Sequence, residues 1–412
     1  MVRYLYSRRE RNADIRRLYA INILRGCNFY LPVIVPYYAD VAGVDFSGFM
    51  LGEVIFAMGM VLLEVPTGYL SDIWQRRVTM IVSALFWVLG TAYMLIAKGL
   101  LDIIIVQLLM AVGASLLSGT IQAMLYEYLA EEGREADFRR CEGKRFAYGF
   151  YALALSSLPV GLMYAYNQYL PVVLGTISQI FMLILSFRLR EPVRARRAAE
   201  KSVLRDVLET MRYALYGHRE IAAVILLASF MMAGTKLIMW AQQPYYMAAG
   251  IPVEWYGALS FTAFLIVGVN GQLAHMLERW IKPVNLLGLL LLAETGLALL
   301  AGGYVWFVFA PLLLLGQAMY GVANPVIADV ISQRAEPERR ATILSAQSLA
   351  YQLMFSILSV PYGMISEDAG VGYALVALAA ILLLGGGPAW LLLRLAFKGQ
   401  LRRDIKVAVT QP

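Results

Sequence analysis

Long apolar stretches alternate with short polar ones along the whole chain. Each apolar stretch is about 20 residues long, the length that a helix needs to cross the hydrocarbon core of a bilayer. We predict twelve such spans, at residues 18–39, 48–70, 78–97, 103–126, 146–165, 169–187, 221–247, 256–275, 283–303, 305–330, 342–365 and 371–396. The longest polar segment, residues 188–220, divides them into six and six.

This pattern predicts an all-α membrane protein in three parts. Residues 1–187 form an N-terminal six-helix bundle, 188–220 a basic linker with an amphipathic surface helix, and 221–412 a C-terminal six-helix bundle. The composition agrees, since 60% of the residues are hydrophobic and 15% are charged, whereas soluble domains are about half apolar. The mean hydropathy is +0.64, and no segment is long enough for a sizeable soluble domain.

Basic residues predict the orientation of the chain in the membrane. All but three of the 35 Lys and Arg residues fall at the span ends of one side, the exceptions being Arg25, Lys98 and Lys236. By the positive-inside rule, that side and both termini are cytoplasmic. The net charge of +7 therefore reflects orientation and does not imply nucleic acid. We expect a monomeric, multi-pass protein of the cell membrane, in a bacterium the inner membrane.

The two halves repeat each other weakly. Residues 25–38 resemble residues 233–246 at a shift of 208, and residues 68–76 resemble residues 271–279 at a shift of 203. The matches fall in order between corresponding helices. Internal repeats of this kind are typical of secondary transporters.

The polar hairpin between spans 2 and 3 carries the motif G-x-x-x-D-x-x-x-R-R over residues 68–77. It resembles the loop between helices 2 and 3 of the major facilitator superfamily, except that the family's second glycine is Gln75. With the twelve spans, the basic central loop and the repeat, the resemblance covers essentially the whole chain. The lead-in E-V-P-T-G at residues 64–68 is similar to that of the superfamily's bacterial drug and metabolite exporters.

The resemblance implies two pseudo-symmetric bundles around a central cavity and transport by alternating access. One departure weakens the case for drug/proton antiport. Antiporters of the superfamily carry a G-P-x-x-G-G run in span 5, whereas residues 157–161 here read only S-L-P-V-G.

The resemblance also implies a gate at the cytoplasmic ends of the helices. Asp72 would face the N-terminus of span 11, near residues 340–344, where free N–H groups and the helix dipole favour an anion. Arg76 would pair with Glu127, and Gly68 would allow close helix approach. In the second half His275 replaces the aspartate. The remaining gating candidates, which alternatively only anchor loops among the lipid head groups, are Arg77, Arg279 and Asp329.

Four ionisable residues fall inside predicted spans: Arg25, Glu53, Lys236 and Glu294. A charge is costly there, so each is a functional candidate. Under the 208-residue shift Lys236 corresponds to Asn28, one helical turn from Arg25. Because the superfamily places spans 1 and 7 on opposite cavity walls, two cations would face an anionic or zwitterionic substrate. The alternative is that both cations are structural, with Arg25 paired to Glu53 or Glu64, for example.

Proton coupling needs a membrane carboxyl group whose pKa is raised by desolvation. Glu53 is best placed, Glu64 and Glu127 lie nearer the cytoplasm, and the sequence does not choose among them. Glu294, on a span that is peripheral in the superfamily, is expected to be a feature of packing or lipid depth. Further polar and aromatic residues are expected to line the cavity: Asn28, Tyr30, Tyr37, Gln122, Trp240, Gln243, Gln317, Tyr320 and Asn324.

These features predict a secondary active transporter that moves a small organic, anionic or amphipathic solute in proton-coupled efflux or exchange. The alternatives are a proton- or ion-coupled importer of an anionic metabolite and a transport-inactive sensor or partner protein. An ATP-driven pump is excluded because no G-x-x-x-x-G-K-S/T motif is present. An enzyme is not expected, since His218 and His275 lie in no metal-ligand cluster. We expect no cofactor and no metal. The expected partners are the small-molecule substrate, protons or another coupling ion, and the lipid bilayer.

Overall fold

The computed structural model describes residues 8–192, 219–336 and 339–397. Within these ranges the backbone forms helices joined by short turns. Ten helical stretches are long and apolar enough to cross a membrane, and two shorter apolar helices, Leu170–Ser186 and Val253–Val267, bring the total to the predicted twelve. The prediction of an all-α protein with twelve membrane helices is confirmed.

The observed spans follow the predicted ones in order. Spans 1 to 6 are Ala13–Ala42, Phe46–Glu64, Arg76–Met94, Leu100–Glu131, Glu135–Tyr166 and Leu170–Ser186. Spans 7 to 12 are Arg219–Ala248, Val253–Val267, Pro283–Gly303, Phe307–Arg334, Thr342–Asp368 and Val371–Phe397. The helix of span 2 continues to Ile73 and that of span 8 to Glu278. The polar hairpin after span 2 is therefore mostly helical, and only Trp74 and Gln75 form its turn.

Spans 1, 4 and 5 are interrupted, where the sequence predicted continuous helices. The α-helical backbone is interrupted at residues 27–33, 118–119 and 158–159. Gly119 has a φ of +75°, which is strained for residues with a side chain. Pro159 lacks the N–H that a continuous helix needs. Irregular backbone at membrane depth is tolerated where it is buried in protein or lines a cavity, so these breaks indicate where to look for a site.

Packing divides the chain into two compact units. The first unit contains Met1–Lys201 and Ile251–Gly268, and the second contains Ser202–Gly250 and Val269–Pro412. The three-part division at residues 187 and 220 stays a prediction, because most of the linker, residues 193–218, lies outside the described residues. The amphipathic linker helix falls there as well.

Span 8 begins within the first unit because it packs closely on span 5. A Cβ on Gly257 would lie 2.5 Å from the carbonyl oxygen of Ser157, and one on Gly161 would lie 2.4 Å from that of Glu254. Only glycine fits at such distances. The S-L-P-V-G segment is therefore a helix-packing segment at the break of span 5.

The interior of the first unit is apolar and its outer surface is apolar too. Leu18, Met80 and Met124 belong to a core among spans 1, 3 and 4 and are at most 1% exposed. On the outside, Leu101 is 77% exposed, and in the second unit Leu384 is 76% exposed. Large exposed leucines would be unfavourable in water, and they fit a protein that is surrounded by lipid.

Candidate functional site

Spans 1, 4 and 5 bring together a group of polar side chains that we call the arginine cluster: Asn22, Arg25, Gln122, Glu142 and Arg145. Glycines allow spans 1 and 5 to approach closely enough for this. A Cβ on Gly26 would lie 2.5 Å from the carbonyl oxygen of Gly149. Arg25 lies in the last α-helical turn before the break of span 1.

Arg145 is the anchored member of the arginine cluster. It is only 6% exposed, and its Nη1 donates to Asn22 Oδ1 at 2.7 Å. Its Nε and Nη2 donate to Glu142 Oε2 and Oε1 at 2.7 and 2.5 Å. Gln122 Nε2 also donates to Glu142 Oε1, at 2.9 Å. The charge of Arg145 is thus neutralised by Glu142 in a bidentate pair.

Arg25 differs from Arg145 in its contacts. Its side chain is exposed, and it makes no hydrogen bond or ion pair with any residue that the structure describes. The expected alternative pairing with Glu53 or Glu64 is therefore absent from the described part of the chain. The charge of Arg145 acts on Arg25 and repels it. With one glutamate against two arginines, the cluster has one positive charge in excess, and the Arg25 guanidinium is available to hold an anion.

A second group, which we call the Glu53 pocket, lies on spans 1, 2 and 4: Asn28, Tyr30, Tyr38, Glu53 and Gln107. Glu53 is 7% exposed and accepts a hydrogen bond from Gln107 Nε2 at 3.1 Å. Asn28 is hydrogen-bonded to Tyr30 beside the Glu53 charge. The Oδ1 of Asn28 and the hydroxyl of Tyr38 are buried without a partner among the described residues. Such unsatisfied groups are unusual and mark a place for water or a ligand.

Tyr37 does not line this pocket. It is fully buried, and its hydroxyl donates to the carbonyl oxygen of Met94 at 3.0 Å. That bond joins the outer half of span 1 to the end of span 3. That Tyr37 lines the cavity stays a prediction.

In the second unit, Lys236 of span 7 lies against span 11. Its Nζ is 3.8 Å from the centre of the buried Phe355 ring, a cation–π contact. Trp240, one turn further along span 7, is 5% exposed. The cation at this predicted binding position therefore sits in aromatic surroundings.

Of the four other predicted lining residues of the second unit, two are buried and two are exposed. Gln317 is 5% exposed and donates to Gln242 Oε1 at 3.1 Å, which joins spans 7 and 10. Gln243 is likewise buried. Tyr320 and Asn324 are exposed. Only these last two of the four are open to a ligand.

The polar hairpin after span 2 is fixed by what we call the Arg76 network. Arg76 Nη2 lies 3.3 Å from Glu127 Oε1, which is the expected pairing. The carboxylate of Glu191, beyond span 6, accepts the backbone N–H groups of Arg76 and Arg77 at 2.9 and 2.8 Å. These are the first N–H groups of span 3, which have no partner within their own helix. A carboxylate at a helix N-terminus is also favoured by the helix dipole.

Arg190 extends the Arg76 network towards span 1. It forms ion pairs with Glu131 at 2.6 Å and with Asp14 at 3.2 Å. Burial alone would lower the pKa of Arg190, but the hydrogen bonds to these two carboxylates outweigh it and raise the pKa. The ends of spans 1, 4 and 6 are thereby joined on the basic side of the first unit.

Not every predicted gating residue is placed as expected. No atom of the described residues lies within 4 Å of a Cβ built on Gly68, so the expected close helix approach is not seen there. Asp329 accepts a hydrogen bond from Gln333, and the described residues include no ion pair for Arg279. These two therefore do not form a second copy of the gate. The side chain of Asp72 lies outside the described part of the chain.

A sequence profile of the Major Facilitator Superfamily matches residues 18–359. The chain belongs to this superfamily. Three solved transporters of similar fold are the nucleoside transporter NupG, a bacterial homolog of the human lysosomal transporter Spinster, and a POT family transporter in complex with 5-aminolevulinic acid.

These three structures share the fold of the chain but little of its sequence. NupG has a TM-score of 0.76 at 14% identity and covers 92% of this chain and 98% of its own. The Spinster homolog has a TM-score of 0.74 at 15% identity, with coverages of 95% and 99%. The POT transporter has a TM-score of 0.73 at 10% identity, with coverages of 93% and 96%. No curated protein sequence matches the chain.

As a member of the superfamily, the chain is a multi-pass transporter rather than an enzyme.

Several residues of the candidate sites are not apparent from the sequence motif. Arg145 and Glu142 fall just before the predicted start of span 5 at residue 146, so the sequence assigns Arg145 to the loop after span 4 and gives Glu142 no role. The helix begins earlier, at Phe138. The signal that could have found them is their spacing of three residues, which places them on one helix face and matches the spacing of Asn22 and Arg25.

Proposed function

We propose that this protein is a secondary active transporter of a small organic anion or zwitterion, working by alternating access in proton-coupled efflux or exchange. The observation that carries the proposal is Arg25, a guanidinium within span 1 that has no ion pair among the described residues. A membrane-depth charge left without a protein partner is costly unless something else neutralises it. A carboxylate or phosphate substrate would do so.

The neighbours of Arg25 support an anionic substrate further. Arg145 repels Arg25 and is already neutralised by Glu142, so an incoming anion gains Arg25 without competing for Arg145. We propose that the substrate carries one acidic group for Arg25. As a separate proposal for the second unit, Lys236, whose Nζ lies over the ring of Phe355, is a further candidate for holding an anionic group.

Coupling to protons is proposed for the Glu53 pocket. Glu53 is 7% exposed, accepts a hydrogen bond from Gln107 and lies near Tyr30 and Tyr38, and a carboxyl group within a membrane span is a candidate for proton binding. Its position between spans 1, 2 and 4 lets a proton and the substrate compete for one region of the first unit. Glu64 is exposed and Glu127 already pairs with Arg76, so both are weaker candidates for this role.

We further propose that the Arg76 network acts as a gate, with Asp72 contributing from the same hairpin. The gate lies on the basic side, which we assign to the cytoplasm together with both termini. The protein acts as a monomer in the cell membrane, in a bacterium the inner membrane.

The test is flux through purified protein in liposomes. The first panel takes nucleosides and 5-aminolevulinic acid, after the similar transporters, and adds organic acids with their neutral amides. We expect an acid to exchange across the membrane, its flux to depend on a pH gradient, and its amide to be inactive. Transport of neutral nucleosides alone would contradict the anionic substrate, and flux insensitive to the pH gradient would contradict proton coupling.

A further inference from the structure

Glu294 is a carboxyl group in the middle of span 9, and no other ionisable residue lies in that helix. It was expected to reflect packing or lipid depth. Its side chain is only 1% exposed, so it does not face lipid. Oε1 accepts a hydrogen bond from Thr235 Oγ1 of span 7 at 3.0 Å. Oε2 has no partner among the described residues.

The surroundings of Glu294 are closely packed and apolar. A Cβ on Gly234 would lie 2.8 Å from Glu294 Oε1 and 2.8 Å from Cδ2 of Leu382. Leu382 opens a π-helical turn of span 12 that ends at Gly386. One on Gly386 would lie 2.9 Å from Leu291 of span 9. Spans 7, 9 and 12 thus close on the carboxyl group at a π-helical turn, a feature that is frequent at functional sites.

No charge in the described second unit neutralises Glu294. Its packing partners are spans 7, 10 and 12. Their titratable residues are Arg219, Glu220, Lys236, Tyr245 and Tyr246 on span 7, Tyr320, Asp329 and Arg334 on span 10, and Tyr373 and Arg394 on span 12. Lys236 is the nearest of these in sequence to Thr235, and its Nζ lies over the ring of Phe355 on span 11. Glu294 forms no ion pair with any of them in the described part of the chain.

An ionised carboxylate in such a place would be strongly disfavoured. Burial of a charge without a counter-charge is relieved when the group binds a proton and becomes neutral. A neutral carboxylic acid can still accept from Thr235 through its carbonyl oxygen. An ordinary exposed Glu has a pKa of about 4.3 and is ionised at neutral pH.

We propose that Glu294 is a proton-binding site of the second unit, whose occupancy holds span 7 against spans 9 and 12. With the proton bound, the carboxyl group fits the apolar pocket and Gly234 packs against it. When the proton leaves to water, the carboxylate needs solvation, and the contact of Gly234 with Oε1 has to open. Span 7 also carries Lys236, next to Thr235. Proton binding at Glu294 would therefore affect the helix that carries this proposed substrate-binding lysine.

This inference rests on the proposed function only for its effect on transport, because proton binding is measured without a substrate. The experiment is infrared spectroscopy across pH of protein purified in a detergent that has no carbonyl group. Protonated carboxyl groups give a C=O stretch separate from the amide and carboxylate bands. We expect such a band to persist at neutral pH in the natural protein and to be lost in Glu294→Gln.

Two further variants keep the test decisive. Thr235→Val removes the hydrogen bond to Glu294 while keeping the side-chain volume, so the same band should shift in frequency; this variant serves if Glu294→Gln does not fold. Glu53→Gln, which alters a buried carboxyl group of the first unit, should leave the band in place. A band that survives Glu294→Gln, ignores Thr235→Val, or disappears in Glu53→Gln instead would overturn the proposal. Failure of the flux assay would not affect this result.

Discussion

Arg25 and Arg145 lie side by side in the first unit, yet the structure predicts opposite effects when each is changed to glutamine. Arg145 is 6% exposed and forms a bidentate pair with Glu142. Removing one partner of a buried ion pair costs about 3–5 kcal/mol, and Glu142, whose side chain is 20% exposed, would lose its counter-charge. Arg25 has no ion pair to lose among the described residues. Its removal relieves repulsion with Arg145.

These energies convert into a difference in melting temperature. In a domain of 150–250 residues, 1 kcal/mol shifts Tm by about 2–4 °C, and a six-helix unit is of that size. Arg145→Gln should therefore lower Tm by roughly 6–20 °C. Arg25→Gln should change the free energy of unfolding by no more than about 0.5 kcal/mol, as at positions without a structural contact. A small rise in Tm is the expected sign.

The assay is thermal unfolding of the two variants and the natural protein, purified in the same detergent and heated at one fixed rate. A fixed rate matters because unfolding of such proteins is often irreversible. Arg25→Lys is the matched control, since it keeps the charge and the repulsion but not the guanidinium fork. A loss of Tm in Arg25→Gln as large as in Arg145→Gln would refute the reasoning, because Arg25 would then have a structural partner.

Three further predictions concern the other contacts. Glu191→Gln should destabilise the first unit by about 0.5–2 kcal/mol, as loss of a helix cap does, and an unchanged Tm would show that the cap at Arg76 is dispensable. Arg76→Gln should slow liposome flux more than it weakens substrate binding, whereas an equal loss of both would argue against a gate. Lys236→Met should weaken binding of an anionic substrate at least tenfold with Lys236→Arg largely retaining it; equal affinities would remove Lys236 from the site.

The overall fold could be predicted because each membrane span is an apolar stretch of about 20 residues, which is visible in the sequence. The apolar stretch of span 9 gave both of its ends, at residues 283 and 303. The contact of Arg76 with Glu127 could also be predicted, because the resemblance to the superfamily implies it.

The breaks within spans could not be predicted from apolar length. The break at Gly119 depends on a positive φ that hydropathy does not report. Side-chain direction could not be predicted either, because it is set by tertiary packing. Tyr37 and Gln317 are polar residues on cavity helices, but their polar atoms are used by Met94 and Gln242 within their own units.

Only some residues of the candidate site could be predicted, because a charge is conspicuous in the sequence only when its neighbours are apolar. Arg25 was identified because a charge inside an apolar run is conspicuous. Arg145 and Glu142 were not, because they stand among other charges whose helix extends beyond its apolar part. Glu294 was seen, but only the structure places it against Thr235 and Gly234 rather than against lipid.

The central claim is that Arg25 binds the acidic group of the substrate. The direct measurement is the dissociation constant of a transported acid and of its neutral amide, for the natural protein and for Arg25→Gln. A charge-assisted hydrogen bond contributes about 1.5–3 kcal/mol, so we predict a preference for the acid of roughly ten- to a hundredfold in the natural protein. That preference should collapse in Arg25→Gln. An acid-over-amide preference that is the same in both proteins would contradict the claim.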